Sequence, residues 1–192
     1  MNGKKMIIPV LSLLLFIAGC NVDEEESASS GEKDSIAAVE QTVDTLEVKM
    51  MNENGRIVGK AIMNEINEGV LIEIQLQNVS PGKKAIHIHE NASCVKPSFE
   101  SAGAHFNPYN KEHGFKNPHG PHAGDLPNIE IGADGKIDVV LTADQVTLQI
   151  GKENSLLDMN GSALIVHENS DDYSTDPSGN SGERLICGEI SG

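Results

Sequence analysis

The 192-residue chain carries 29 Asp and Glu against 14 Lys and Arg, a formal net charge of −15 with histidine neutral. A surface of this sign repels the phosphates of nucleic acids, so nucleic-acid binding is excluded as a general function. Aromatic residues make up only 3% of the chain while glycine occurs 19 times, a composition that favours a small, turn-rich β domain over a helix bundle.

Residues 1–19 are interpreted as a signal peptide. Two lysines precede an uncharged run over residues 6–19, which is too short for a membrane span of about 20 residues but suits the apolar region of a signal peptide. The run ends in Ile-Ala-Gly-Cys at residues 17–20, which resembles a bacterial lipobox; an ordinary signal peptide is the alternative. We therefore expect a lipoprotein that is cleaved before Cys20, palmitoylated there, and anchored outside the cytoplasm to the bacterial cell membrane.

Residues 20–43 are predicted to form the lipidated cysteine and a disordered acidic tether. The stretch over 23–31 reads Asp-Glu-Glu-Glu-Ser-Ala-Ser-Ser-Gly, and it contains too few apolar groups to offset the entropy of ordering. An acidic tail that recruits a partner is the alternative interpretation of this segment. A single folded domain is expected over residues 44–192.

The domain is predicted to be all-β. Apolar and polar residues alternate over 46–50 and 72–77, as is typical of strands with one face on a core. Asn54-Gly55 and Glu68-Gly69 are turn signals of β-hairpins. Further strand segments are expected at 84–90, 128–131, 136–141, 162–167 and 185–190. Seven or eight short strands indicate an antiparallel sandwich or barrel, whose strand pairing the pattern leaves open.

Two cysteines remain for the domain once Cys20 is assigned to the lipid. Cys94 and Cys187 form an even pair in a protein that we expect to be exported, where disulfides form and persist. In the chain-entropy model, a disulfide that closes so long a loop stabilises the folded state by about 4–5 kcal/mol. A disulfide between them is therefore predicted.

All seven histidines lie between residues 87 and 167. Side chains two residues apart in a strand project from the same face, so the imidazoles of His87 and His89 can bind one ion. A single His-x-His pattern is weak evidence, because strands carry it by chance. Residues 91–126 follow without a regular pattern, and a structureless stretch of that length in a compact domain is usually functional.

Three histidines and an aspartate in that stretch offer a complete ligand set for one ion. They are His105, His113, His122 and Asp125. Three imidazoles and a carboxylate suit tetrahedral zinc, and a closed zinc site of this kind is structural. Such an ion would order a loop that has few apolar anchors. His119, in a Pro-His-Gly-Pro turn, is expected to be exposed to solvent.

Five linked segments of the domain resemble the copper/zinc superoxide dismutases. They are Ala-Ile-His-Ile-His-Glu at 85–90, Ser-Ala-Gly-Ala-His-Phe-Asn-Pro at 101–108, His-Ala-Gly-Asp-Leu at 122–126, Val-His-Glu at 166–168 with the aspartates at 171 and 172, and Gly-Asn-Ser-Gly at 179–182 before Arg-Leu-Ile-Cys-Gly at 184–188. The resemblance covers about residues 44–192. It implies a Greek-key antiparallel β-sandwich, or flattened barrel, of about eight strands with two long functional loops. It also implies dismutation of superoxide with copper and zinc as cofactors.

The resemblance implies the metal ligands as well. Copper would be held by His87, His89, His105 and His167, and zinc by His105, His113, His122 and Asp125. The shared His105 would bridge the two ions and carry a proton when copper is reduced. Asp171 would bond the free nitrogens of His87 and His113, and Arg184 would attract and orient the superoxide anion.

The sequence departs from the family pattern at two places. Ala104 stands where many relatives have proline. The second predicted loop, over 171–182, has no lysine and carries Asp172 and Asp176, and Glu183 follows it. Because relatives commonly place positive charge around the copper entrance, we expect an active enzyme that is slower than relatives that steer superoxide strongly.

A non-catalytic module that binds or buffers copper at the cell surface, stabilised by zinc, is the hypothesis from another class. Both hypotheses require the same metal ligands. They differ at Arg184, which a copper buffer does not need. Superoxide is the expected substrate, and the membrane is the expected partner through the lipid on Cys20.

Overall fold

The computed structural model of the protein describes residues 45–158 and 160–192. The predicted signal peptide, the lipidated Cys20 and the acidic tether lie outside the described residues, so these assignments remain predictions. Across those two described ranges, no helix is long and apolar enough to cross a membrane.

The described residues form nine strands and one short 3-10 helix. In chain order these are β1 (Thr45–Asn52), β2 (Ile57–Ile66), β3 (Gly69–Leu76), β4 (Gly82–Lys84), β5 (Ile86–His89), the 3-10 helix (Glu100–Ala102), β6 (Ile129–Ile131), β7 (Ile137–Ala143), β8 (Ser162–His167) and β9 (Arg184–Ile190). Seven strands form one sheet in the order β5-β8-β9-β1-β2-β3-β7, and β4 pairs with β6. The pairings are antiparallel and the large sheet curls into part of a barrel, which confirms the predicted fold class.

The hairpins follow the predicted turn signals. Asn54-Gly55 lies between β1 and β2, where Gly55 has a φ of 79°, a conformation that glycine adopts at little cost. The side-chain oxygen of Asn52 accepts the backbone N–H of Asn54 and of Arg56, at 3.1 and 3.0 Å. These bonds close the turn and bring β1 and β2 into register.

Alternation places one face of β1 and of β3 in the core, as predicted. Val48 and Met50 in β1 are buried, as are Ile72 and Ile74 in β3, while Glu73 between the latter two is exposed. Burial of each large apolar side chain contributes about 1.5–3 kcal/mol. A slip of one residue would turn this apolar set to solvent, so the pattern specifies the register.

The prediction of one strand over 84–90 is wrong, because the chain breaks at Ala85. Its backbone N–H donates to the carbonyl of Asn169 at 2.7 Å, and its carbonyl accepts the N–H of His167 at 2.9 Å. Lys84 therefore ends β4, which pairs with β6, while β5 begins a new pairing with β8. The two strands belong to different sheets.

β8 is buried at all six positions and lies between β5 and β9. A strand covered on both faces reads as a continuous apolar run, as this one does before its final histidine. In the register of β5 with β8, His87 pairs with Ile165 and His89 with Ala163. The two strands at this edge of the sheet thus carry His87, His89 and His167, whose side chains meet in one group.

The segment between β5 and β6 contains only the 3-10 helix among regular elements, as predicted for 91–126. It returns to the edge of β5 through two isolated bridges, one between His87 and Asp125 and one between His89 and His105. The loop therefore delivers further candidate ligands next to the two histidines of β5.

The predicted disulfide between Cys94 and Cys187 is present, with Cα atoms 5.8 Å apart. It joins the long loop to β9. Both cysteines are buried, together with Phe99 and Ile165. The backbone N–H of Cys94 also donates to the carboxylate of Glu189 at 2.8 Å, which gives the loop a second attachment to β9.

Candidate metal centre

Six of the seven histidines converge on one buried region, and they are His87, His89, His105, His113, His122 and His167. The seventh, His119, has a side chain that is 74% exposed and lies 3.5 Å from a carboxylate oxygen of Glu112. Its predicted position on the surface is therefore confirmed.

One group of four imidazoles has the geometry of a single ion site. The group consists of His87, His89, His105 and His167, and its ligand atoms all lie within 4.8 Å of one another. Nε2 of His89 is 3.4 Å from Nε2 of His167. Nδ1 of His87 and Nε2 of His105 are buried and have no hydrogen-bond partner. Because buried polar atoms are normally satisfied, these two nitrogens fit metal ligands.

A second group gathers around one oxygen of Asp125. Its Oδ1 lies 2.9 Å from Nδ1 of His105, 3.0 Å from Nδ1 of His113 and 3.2 Å from Nδ1 of His122. The ligand atoms that all lie within 4.8 Å of one another here belong to His87, His105, His113 and Asp125. His122 joins this group through its contact with Asp125, while Nε2 of His87 faces a different carboxylate. Three imidazoles and one carboxylate converging in this way fit tetrahedral zinc.

His105 belongs to both groups through its two nitrogens. Its Nδ1 faces Asp125, while its Nε2 is the unpartnered atom on the side of His87. The rings of His87 and His105 lie 4.0 Å apart between centroids. The two nitrogens of this ring therefore face different groups of candidate ligands.

The other oxygen of Asp125 is held by the backbone. Oδ2 accepts the N–H of Gly114 at 2.9 Å and the N–H of His122 at 3.0 Å. Burial raises the pKa of the carboxyl, but hydrogen bonds with His105, His113 and His122 and with the backbone outweigh burial and hold the pKa far below its usual range. The carboxylate is thus charged and oriented for a cation.

Asp171 links the two groups, because it contacts one imidazole from each. Its Oδ2 lies 3.0 Å from Nε2 of His87, and its Oδ1 lies 3.0 Å from Nε2 of His113. A carboxylate that accepts the Nε2–H of each neutral ring leaves Nδ1 of both rings unprotonated and therefore able to bind a metal. Asn128, which no motif indicated, fixes the backbone of Asp171 through two bonds of 2.8 Å.

Burial keeps the imidazoles of the first group neutral. It lowers the pKa of His87 and His89, lowers that of His105 to about 4, and lowers that of His167 to about 2. Neutral imidazole is the form that binds a metal. His113 differs, because its bonds to two carboxylates outweigh burial and raise its pKa to about 9.

Arg184 is anchored beside the first group. Its Nη1 donates to the carbonyl of Phe99 at 2.8 Å and its Nη2 to the carbonyl of Gly103 at 2.7 Å. The same Gly103 carbonyl lies 3.0 Å from Nδ1 of His89. Two of the five guanidinium N–H groups are therefore engaged, and the remaining donors are available to an anion.

Ala104, which stands where many relatives have proline, forms two hydrogen bonds with Glu90. The N–H of Ala104 donates to a carboxylate oxygen of Glu90 at 3.0 Å, and the N–H of Glu90 donates to the carbonyl of Ala104 at 3.0 Å. Proline has no N–H and could make only the second bond. Alanine therefore provides an added attachment just before His105.

The surface around Arg184 is acidic. A cavity of about 480 Å³ beside it is lined by carboxylates that include Glu53, Glu100 and Glu183. Of these three, the sequence had indicated only Glu183, because Glu53 and Glu100 lie in distant segments of the chain.

Asp172, which the sequence also indicated, forms hydrogen bonds within its own loop. Its carboxylate accepts the backbone N–H groups of Ser174 and Thr175 and the Thr175 hydroxyl.

Comparisons with known proteins agree with this geometry. Residues 54–190 match a sequence profile described as copper/zinc superoxide dismutase. The superoxide dismutase-like protein YojM of Bacillus subtilis is 43% identical over 190 residues, which cover 98% of this chain and 96% of that protein. A copper-zinc superoxide dismutase of Aquifex aeolicus is 46% identical over 143 residues, or 74% of this chain and 84% of that protein.

A solved structure with the same fold is a crystal structure of a superoxide dismutase-like protein from Bacillus subtilis. It is a double mutant in which a tyrosine and a proline are each replaced by histidine. It has a TM-score of 0.75 and 53% identity, and the match covers 76% of this chain and 97% of that one.

Proposed function

This chain belongs to the copper/zinc superoxide dismutase family, and from that premise we propose that it converts superoxide into dioxygen and hydrogen peroxide. The observation that carries the proposal is the pair of ligand groups that meet at His105. When bound, copper would take an electron from one superoxide and return it to a second, while zinc would stabilise the loop that supplies its ligands. Two superoxide anions and two protons give one dioxygen and one hydrogen peroxide.

We assign the ligands as the sequence motifs suggested. Copper is held by His87, His89, His105 and His167, and zinc by His105, His113, His122 and Asp125. Two observations support the assignment of copper: the unpartnered Nδ1 of His87 and the unpartnered Nε2 of His105. Convergence of three imidazole Nδ1 atoms on one Asp125 oxygen supports zinc.

The protein groups around these ligands have separate tasks. Asp171 holds the rings of His87 and His113 in the tautomer that presents Nδ1. Arg184 offers its free N–H groups to the superoxide anion and orients it by charge-assisted hydrogen bonds. Nε2 of His105 can hold a proton after reduction and deliver it to the reduced oxygen species.

The experiment that tests this function compares copper- and zinc-loaded protein with zinc-only protein in a superoxide-removal assay. We expect dismutation only with copper, and its loss in His167→Ala. Bound copper without turnover would instead favour the copper-binding module. A protein that binds no copper would exclude both functions.

Substitution of Arg184 separates the enzyme from a copper buffer. Charge-assisted hydrogen bonds are worth about 1.5–3 kcal/mol, so Arg184→Gln should lower the rate constant for dismutation roughly ten- to a hundredfold. Copper affinity should stay unchanged. Arg56→Gln is the matched control, since Arg56 is exposed at the β1–β2 turn. Equal activity of both variants would remove the role of Arg184.

We also propose that the protein is a lipoprotein held on the outer side of the bacterial cell membrane. The support is the uncharged run over residues 6–19 and the lipobox-like residues 17–20. Membrane fractions from cells that express the full chain should contain it, and Cys20→Ser should release or mislocalise it. A Cys20→Ser variant that remains in the membrane fraction would contradict the anchor.

A further inference from the structure

Ser181 places a buried hydroxyl against a proposed copper ligand. The residue lies between β8 and β9, and only 1% of it is exposed. Its Oγ lies 3.2 Å from Nδ1 of His167. The carbonyl of Gly182 is the other polar group at this nitrogen, at a longer distance of 3.4 Å.

The backbone fixes Ser181 in this position. The N–H of Asn169 donates to the carbonyl of Ser181 at 2.8 Å, and the N–H of Ser181 donates to the carbonyl of Ser178 at 3.2 Å. The flanking Asn180 and Gly182 have φ angles of 56° and 75°. This sharply turned backbone directs the side chain inward, where the hydroxyl is shielded from solvent.

The proton on His167 must lie at the nitrogen that faces Ser181. Its Nε2 points into the copper group, 3.4 Å from Nε2 of His89. A neutral imidazole that binds a metal through Nε2 carries its proton on Nδ1. That N–H therefore donates, and the Ser181 hydroxyl is its nearer acceptor.

The other copper imidazoles that are not shared with zinc also have an acceptor. His87 faces the carboxylate of Asp171 and His89 faces the carbonyl of Gly103, each at 3.0 Å. The nearer acceptor of His167 is a neutral hydroxyl, which can be removed without a change in charge or backbone. No motif in the sequence indicated this role.

We propose that Ser181 is a positioning residue that accepts the Nδ1 proton of His167 and thereby sets the balance between the two oxidation states of copper. An acceptor at Nδ1 makes Nε2 a more basic ligand, and a more basic ligand stabilises Cu(II) more than Cu(I). The hydroxyl also fixes the plane of the ring. This inference rests on the copper site of the proposed function.

The test measures the affinities for Cu(II) and Cu(I), by competition with chelators, and the copper reduction potential in zinc-loaded protein. A hydrogen bond with a typical net value changes an equilibrium about fivefold. In Ser181→Ala we expect the ratio of the Cu(II) to the Cu(I) dissociation constant to rise about fivefold, with a higher reduction potential. The matched control is Ser170→Ala, which removes an exposed hydroxyl from the same loop and should change neither quantity.

Ser181→Thr keeps the hydroxyl and should restore the wild-type ratio. A ratio and a potential that stay unchanged in Ser181→Ala would overturn the inference. Equal weakening of both affinities would also overturn it, because it would show a structural role alone. Wild-type protein that binds copper without turnover would contradict the proposed function, yet the potentials would still decide the role of Ser181.

Discussion

Single carboxylates determine how the imidazoles of the metal centre are presented. Asp125 offers one oxygen to three rings while its other oxygen accepts backbone N–H groups. Asp171 instead uses one oxygen for each of two rings. Because both are buried and charged, replacing either one changes charge and hydrogen bonding together.

Asp171→Asn should weaken both metal sites. The amide keeps one oxygen for either His87 or His113, and its NH₂ group then faces the N–H of the other ring. Loss of such a partner typically costs about 10–100-fold in metal affinity. Dissociation constants for zinc and copper, each measured by chelator competition, should both rise by about that factor.

The control for this variant is Asp144→Asn, which neutralises an exposed carboxylate beyond β7. It should leave both dissociation constants unchanged. If Asp171→Asn altered only one metal site, the link between His87 and His113 would be wrong.

Strands and loops contribute to the site in different ways. β5 and β8 pair at one edge of the sheet, and their three histidines meet in one group of candidate ligands. The long loop between β5 and β6 has little regular secondary structure, but it is held by bridges to β5 and by the disulfide to β9. The loop ligands therefore depend on attachments to the sheet.

Removal of the disulfide should destabilise the whole domain. Removal of a native disulfide from a small domain typically costs about 2–5 kcal/mol. We expect the free energy of unfolding of metal-free Cys94→Ser/Cys187→Ser protein to fall by about that amount, measured by urea denaturation. Identical unfolding midpoints for the variant and the oxidised wild type would refute this contribution.

Charge acts on the scale of the whole molecule. The chain has a net charge of −15, and Glu53, Glu100 and Glu183 line the cavity beside Arg184. Salt screens charges beyond about 8 Å at physiological strength, so these nearby carboxylates matter more than the remote ones. We therefore expect weak attraction of superoxide toward Arg184.

Reversal of one charge that lines the cavity beside Arg184 should raise the rate constant for dismutation. Glu183→Lys places a cation next to Arg184, and electrostatic steering then favours an anionic substrate. We expect the rate constant at low salt to rise roughly two- to tenfold and to fall more steeply with added salt than in the wild type. Glu130→Lys, an exposed change on β6, is the control for net charge alone.

A wild-type rate constant that already falls with salt as steeply as in strongly steered relatives would contradict the weak attraction. An equal gain in both lysine variants would assign the effect to net charge, not to the entrance.

Much of the fold could be predicted because local alternation reflects burial directly. The predicted segments over 46–50, 72–77 and 162–167 overlap β1, β3 and β8, and the predicted turn at Asn54-Gly55 joins β1 to β2. The break at Ala85 could not be predicted, since it arises from bonds to His167 and Asn169, about 80 residues away.

The sequence by itself indicated the β class, the disulfide partners and the candidate ligands, because alternation, cysteine number and the motifs that resemble the family all lie in short segments. Only the tertiary structure decided which nitrogen of each imidazole faces which group. It also revealed the positions of Glu53 and Asn128, which no motif contains, and the contact of Ser181 with His167, which the motif around Ser181 did not indicate. The physical reason is that hydrogen bonds and charge interactions act over a few ångströms, and only the fold brings such distant residues within that range.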